Sequence, residues 1–292
     1  METDAEALAD VIDLLTVEQD GPDLFRGRSR KHRLARVYGG QVLGQALTAA
    51  SRTVEPSRLC HSFHAYFLRP GDPKAPIAYD VDRARDGKSF TARRVVALQN
   101  GRQIFNLAAS YQTREDGFTH QFDMPLVPPP EGLADEATLR RREAERQPSP
   151  LKEWLARARP FETRPVQLEP IGDMQATRAP SDQIWFRPAG PVPDEPVLAQ
   201  ALLAYISDSS LLRTSLLPHG KGLLSAVQTA SLDHAMWFHR PVRFDDWMLY
   251  VLDSPSASGA RGFSRGLIFT RDGTLIASVA QEGLIRPRGV SA

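Results

Sequence analysis

Residues 197–212, VLAQALLAYISDSSLL, form an apolar run of helical character with one carboxylate, Asp208, set into it. At 3.6 residues per turn Asp208 falls on the stripe of Ala201 and Ala204, where small side chains let another element come close. A Ser-Asp-Ser-Ser run near a helix end also serves as a local cap, so the stretch alone leaves two readings, chemistry or capping. The deciding observation lies outside it: VLAQAL at 197–202 echoes VLGQAL at 42–47, 155 residues earlier.

The echo extends along the chain. FHAYFLRP at 63–70 matches HAMWFHRP at 234–241, and QNGRQI at 99–104 matches TRDGTLI at 270–276, with Gly101 on Gly273. Three segments in one order, at offsets of 155, 171 and 172, predict a duplicated unit whose copies face each other about a pseudo-twofold axis.

The first copy is the easier to parse. Ala7, Leu8, Val11, Leu14 and Leu15 have helical spacing, so a short amphipathic helix is expected over 4–16, ended by Asp20-Gly21-Pro22. A strand follows at 23–28, and Gly39-Gly40 opens a second helix, GGQVLGQALTAASRTV. From His61 to Gln112 the period becomes two, predicting four strands with turns at Asp86-Gly87 and Asn100-Gly101. The glycine pair admits two roles: exposing free amides to a ligand, or packing closely on a neighbour.

Residues 114–196 differ in texture, with PLVPPPEG, the charged EATLRRREAERQ, LKEWLARARP and many prolines. Charges at i, i+3 and i+4 suit an exposed helix, so a solvated connector is expected, with RPVQLEP and QIWFRP as strands returning to a core. The expected boundaries are residues 1–120 for the first domain, 121–160 for the linker and 161–292 for the second domain, which carries the candidate site.

The whole-chain numbers narrow the class. With 292 residues, 41% of them hydrophobic, and a net charge of +1, the chain has an ordinary globular composition; nucleic acid is not its expected partner. No apolar run reaches the roughly 20 residues of a membrane span, and the acidic start lacks the basic region of a secretory signal. Cys60 is the single cysteine, which excludes an internal disulfide and a cysteine metal cluster; a cytoplasmic place is expected. The basic cluster Arg26, Arg28, Arg30, Lys31, Arg33 and Arg36 suits either a solvated face, the preferred reading, or contact with an anionic ligand.

Two motifs mislead. Gly262-Phe263-Ser264-Arg265-Gly266 has the nucleophile-elbow pattern, but a hairpin follows where that motif needs a strand-to-helix turn. Ser231, Asp233 and His234 supply the residue types of a hydrolytic triad, yet neighbours on a strand point to opposite faces and cannot converge. His234 and His239 are expected to be packed or hydrogen-bonded strand histidines.

The two copies differ in polarity. Ser231 falls on Cys60 and Gln281 on Ala109, so Asp208, Ser231 and Gln281 gather in the second copy. That asymmetry suggests one of two ancestral sites was kept; satisfaction of backbone groups at strand ends explains Ser231 and Gln281 equally well.

YGGQVLGQAL, HSFHAYFLRPGD, SDSSLL, LDHAMWFHRP, SASGARGFSRG and ASVAQEGLIR together resemble the type II acyl-CoA thioesterases, the TesB-like double-hotdog proteins of bacteria and their peroxisomal relatives. The similarity spans residues 10–288 and is poorest over 128–160. The resemblance implies an α+β double hotdog: two repeats of a long helix wrapped by an antiparallel sheet, with the sheets joined side by side. It also implies hydrolysis of fatty acyl-CoA, with Asp208, Ser231 and Gln281 as the catalytic residues and association into a homo-oligomer. Coenzyme A enters as part of the substrate, and no separate cofactor is expected. In this reading Asp208 takes a proton from a water held by Ser231 and Gln281, and the Gly39 and Gly40 amides are candidates for binding the substrate oxyanion. A covalent acyl-Ser231 route, a hotdog dehydratase or hydratase, and a non-catalytic acyl-CoA-binding protein are the alternatives.

Overall fold

Thirteen strands join in one antiparallel sheet in the computed structural model, which describes residues 2–29, 36–149, 151–167, 176–222 and 225–288. Helix α1 (Asp4–Leu15) starts on a capping box in which Thr3 and Glu6 satisfy each other's backbone amides. Strands β1 (Glu18–Gln19) and β2 (Leu24–Gly27) precede helix α2 (Gly39–Ser51). The meander follows as β3 (Arg58–Phe67), β4 (Ile77–Asp86), β5 (Phe90–Gln99) and β6 (Arg102–Thr113). The connector holds α3 (Glu136–Ala144) and α4 (Leu151–Ala156).

The second copy repeats the plan with β7 (Phe161–Pro165), β8 (Ser181–Pro188), α5 (Pro196–Ser207) and α6 (Leu211–Thr214). Strands β9 (Val227–Ser231), β10 (Asp233–Phe238), β11 (Met248–Ser258), β12 (Arg261–Thr270) and β13 (Leu275–Pro287) complete it.

The sheet order is a palindrome: β2-β4-β5-β6-β3 meets β10-β13-β12-β11-β8, each copy contributing the same sequence of neighbours from the centre outward. At the join, His64 is the Cα partner of Ala235, the residue onto which the 171-residue offset carries it. Phe63 pairs with Met236 and Ala65 with His234, so the pairing maps onto itself and the pseudo-twofold axis passes through the His64–Ala235 pair. Joining two edge strands here pairs backbone groups that would otherwise invite aggregation.

Both central helices are buried because they lack a polar face. Leu43, Ala46 and Leu47 of α2 and Ala201, Leu202, Leu203 and Ala204 of α5 are fully buried in one core with the inward residues of the strands. Each leucine buried there contributes about 1.5–3 kcal/mol relative to exposure. Strand β5 shows the complementary period of two, burying alternate residues from Thr91 to Gln99.

One expected turn holds, and two local expectations need adjustment. Asn100 and Gly101 both have positive φ, 50° and 72°, as a two-residue primed turn requires. The Asp86-Gly87 turn is wider, spanning residues 87–89, with the Gly87 amide donating to Phe90 O at 2.9 Å. The connector is not simply solvated: Met124, Val127 and Leu133 pack on Trp185, Trp247, Leu249, Phe269 and Leu275, on the sheet face opposite the helices. Trp185 Nε1 donates to Pro128 O at 2.9 Å, and three guanidiniums, of Arg140, Arg157 and Arg159, flank the Trp154 ring. Of the expected strand RPVQLEP, Arg164 and Pro165 end β7, Val166 and Gln167 follow it as a bend, and residues 168–170 lie outside the described residues. Among the described residues no helix is long and apolar enough to cross a membrane.

Candidate active site

The run 197–212 is two helices rather than one. Helix α5 ends at Ser207, Asp208 is its C-cap, and α6 starts at Leu211. The break places the carboxylate at a helix C-terminus, where the partial negative charge opposes ionisation. The opposing end of another helix offsets this. Tyr38, the N-cap of α2, gives that helix no side-chain capping bond, and the Gly40 amide donates to Asp208 Oδ2 at 3.0 Å.

Close approach of the two helix ends requires both glycines. A Cβ on Gly39 would sit 2.7 Å from Asp208 Oδ2, and one on Gly40 would overlap the carbonyl oxygen of Tyr205. The glycine pair therefore meets a packing demand at this contact. The Gly40 amide, a candidate for holding a substrate oxyanion, is committed to the carboxylate and holds Asp208 in place. Two phenols finish the α5 terminus: half-buried Tyr38 donates to Tyr205 O at 2.9 Å and buried Tyr250 to Ser207 O at 3.0 Å.

The three polar residues singled out by the repeat lie together. Ser231, the last residue of β9, donates from Oγ to Asp208 Oδ1 at 3.2 Å. Gln281, inward on β13, donates from Nε2 to Ser231 Oγ at 3.1 Å. Gly39, Asp208 and Ser231 keep partial exposure while Gly40 and Gln281 are buried, so the acid and hydroxyl form the accessible mouth of the cluster. Burial pushes the Asp208 carboxyl up to about 6, restrained by hydrogen bonds from Ser231, the Gly40 amide and Gln281, and by the positive charge of Arg36. Burial also raises Tyr38 and Tyr250 well above the usual phenol range, with the Asp208 charge adding to the effect.

A second tier went unread in the sequence. His234 Nδ1 lies 2.6 Å from Gln281 Oε1, and Ser207 Oγ lies 3.0 Å from His234 Nε2. Burial lowers His234 to about 4, so the ring is neutral. Asp233, its neighbour, points away as expected for a strand and accepts the Glu282 amide at 2.6 Å. The available signal was the repeat itself, which places His234 on Phe63.

The pseudo-symmetric position in the first copy is filled. Asp208 falls on Thr53, and Arg93, 2% exposed, donates to Thr53 Oγ1 at 2.8 Å and Thr53 O at 3.0 Å while pairing with Asp86 at 2.7 Å. Arg93 faces Ala109 in register as Ser264 faces Gln281, so the first copy carries an arginine where the second carries a serine. Cys60 there is a buried thiol pushed up to about 12 by burial.

The remaining candidates separate from this cluster. Ser264 lies within β12, not at a strand-to-helix turn, and its buried Oγ has no partner among the described residues. His239 bonds Ser278 at 2.8 Å. Of the basic cluster, Arg26 pairs with Asp20, Arg28 with Asp10 and Asp13, and Arg36 donates to Thr229 O. Arg30, Lys31 and Arg33 lie outside the described residues. No group of His, Cys, Asp and Glu side chains suited to a metal occurs among the described residues.

Two helix-and-meander copies sharing one sheet define a double hotdog, here with an acid, a hydroxyl and an amide at the junction of its helices. A conserved protein with a hot dog fold from Alicyclobacillus acidocaldarius, 20% identical, superposes with a TM-score of 0.75 over 95% of this chain and 98% of its own. The chain belongs to the acyl-CoA thioesterase family: the family's N-terminal domain model matches residues 28–112 and the acyl-CoA thioesterase model residues 155–284. Acyl-CoA thioesterase 2 of Haemophilus influenzae is 42% identical over 284 residues, covering 97% of this chain and 99% of that protein. The acyl-CoA thioesterase II TesB2 of Mycobacterium marinum is 41% identical, with a TM-score of 0.78 over 96% of this chain and all of that one.

Proposed function

We propose that this protein hydrolyses fatty acyl-CoA to free fatty acid and coenzyme A by direct attack of a water that Asp208 deprotonates. The observation that carries the reading is the Asp208 carboxylate, raised to about 6 by burial and bonded to Ser231, which Gln281 in turn bonds. A base poised near neutrality is what proton transfer from water at physiological pH requires. Asp208 takes one proton from the water, and the resulting hydroxide adds to the thioester carbonyl. The tetrahedral intermediate collapses with loss of coenzyme A as thiolate. A thiol with a pKa of about 8.5, by analogy with cysteine, leaves without a strong general acid.

The Ser231–Asp208 hydrogen bond also suits a serine nucleophile, with Asp208 as its base. Single-turnover mass spectrometry separates the routes, because direct attack leaves Ser231 unmodified and a transient acyl adduct overturns it. A dehydratase needs a histidine base in the site, whereas His234 is wholly buried behind Gln281 and His64 is exposed on the face of β3 opposite buried Phe63, edge-on to Trp237. A non-catalytic acyl-CoA-binding protein releases no thiol, so a thiol-release assay over acyl chains of graded length tests the activity itself. The single cysteine and balanced charge support a cytoplasmic place. Further association of copies belongs to the same reading, and light scattering tests it.

The pH dependence follows from the Asp208 carboxyl. Its protonated form cannot accept the water's proton, so kcat/KM rises tenfold per pH unit below about 6 and levels off above it. A profile flat down to pH 4.5 would remove Asp208 as the base.

A further inference from the structure

The hydrogen bonds of the site continue into the core beyond Gln281. Gln281 Oε1 only accepts, so the 2.6 Å contact with His234 places a proton on Nδ1. The ring is buried and neutral, which leaves Nε2 with a lone pair facing Ser207 Oγ at 3.0 Å. Ser207 has one proton and two acceptors within reach, Nε2 and Ala204 O at 2.9 Å; the Nδ1–H tautomer assigns it to Nε2. Every donor then points the same way, from Ser207 through His234, Gln281 and Ser231 to Asp208. With the Gln281 amide reversed, its carbonyl would face Ser231 and draw the hydroxyl proton away from Asp208.

We propose that His234 is a positioning residue whose Nδ1–H holds the Gln281 carbonyl, turning the amide NH2 toward Ser231 and the attacking water. The inference rests on the proposed water-activating role of Asp208. The duplication supports it independently. His234, Ser231 and Gln281 fall on Phe63, Cys60 and Ala109, so the first copy keeps a ring but loses its nitrogens together with the groups they would orient. The two rings stack across the pseudo-twofold axis, centroids 6.0 Å apart and planes at 18°, so a phenyl meets the packing demand of this position. Packing alone leaves the choice of imidazole in the second copy unexplained; a partner at Gln281 accounts for it.

Three variants separate orientation from packing. His234→Phe keeps the ring and removes both nitrogens, His234→Gln offers a donor only near the Nε2 position, and His234→Asn places an amide N–H where Nδ1 was. In folded proteins, His234→Phe and His234→Gln are expected to lower kcat by about 10–100-fold, with His234→Asn recovering most of the loss. KM should change by no more than about twofold, since substrate contacts are untouched. Should His234→Phe fail to fold, the contrast between His234→Asn and His234→Gln carries the test. Equal losses in those two, or wild-type kcat in a folded His234→Phe protein, overturn the proposal. Ring ¹⁵N spectra of the wild-type enzyme provide a readout independent of turnover: a neutral Nδ1–H tautomer is expected, and an Nε2–H tautomer refutes it. If Asp208→Asn remained active while the tautomer and the His234→Asn recovery held, the error would lie in the choice of base, not in His234.

Discussion

Asp208→Asn lowers kcat by about 10²–10⁴-fold in a thiol-release assay while leaving the protein folded, the range expected for loss of a general base. The amide keeps an acceptor for the Gly40 N–H but cannot take a proton from water. The same substitution is expected to raise Tm at pH 8. A carboxyl whose folded pKa of about 6 exceeds the unfolded value destabilises the fold once ionised, so this cost is present above about pH 6 and disappears as pH falls below the unfolded pKa. Stability and activity therefore change in opposite directions, as expected where a site stores unfavourable electrostatics for chemistry. A folded Asp208→Asn enzyme with near-wild-type kcat would sink the assignment of the base.

Gly40→Ala has the largest expected effect on the fold. The added Cβ meets the backbone carbonyl of Tyr205 on one side and the Tyr38 ring, 2.6 Å from Cε1, on the other. A carbonyl at a helix end cannot turn aside, so α2 and α5 must separate, at a cost of about 1–3 kcal/mol or more. Separation also weakens the Gly40 N–H bond to Asp208, so Tm and kcat fall together. Gly132→Ala is the control, because a Cβ there meets nothing within 4 Å. Equal Tm values for the two variants in thermal denaturation would contradict this account of the helix contact.

Much of the architecture was legible in the chain because it is written in periodicity and repetition. The period-two meander from His61 to Gln112, the apolar helices and the drifting offsets of the repeat each depend on local pattern. The Asp208, Ser231 and Gln281 cluster was legible by difference, since the copies disagree at those positions. The remaining features depend on contacts between distant segments. Leu211 and Leu212 continue the apolar pattern past Ser207, so the Ser-Asp-Ser-Ser run was the one local hint of the break that makes Asp208 a C-cap, and it did not separate capping from chemistry. Gly40 gave no sign that its amide would serve a carboxylate 168 residues away. His234 looked like any strand histidine until β13 placed Gln281 against its ring. The connector's role in covering an apolar sheet face was hidden by its charge and proline content.

The amide that steadies Asp208 comes from the first copy, and the acid, hydroxyl and side-chain amide come from the second. Covalent fusion holds the copies at a fixed effective concentration. Their encounter is unimolecular, so dilution does not dissociate this junction as it would a pair of free chains. One polypeptide also relaxes the demand that both halves remain identical. A two-chain ancestor must carry any change in two places, whereas this chain buries Arg93 at one position and keeps an acid, a hydroxyl and an amide at the other.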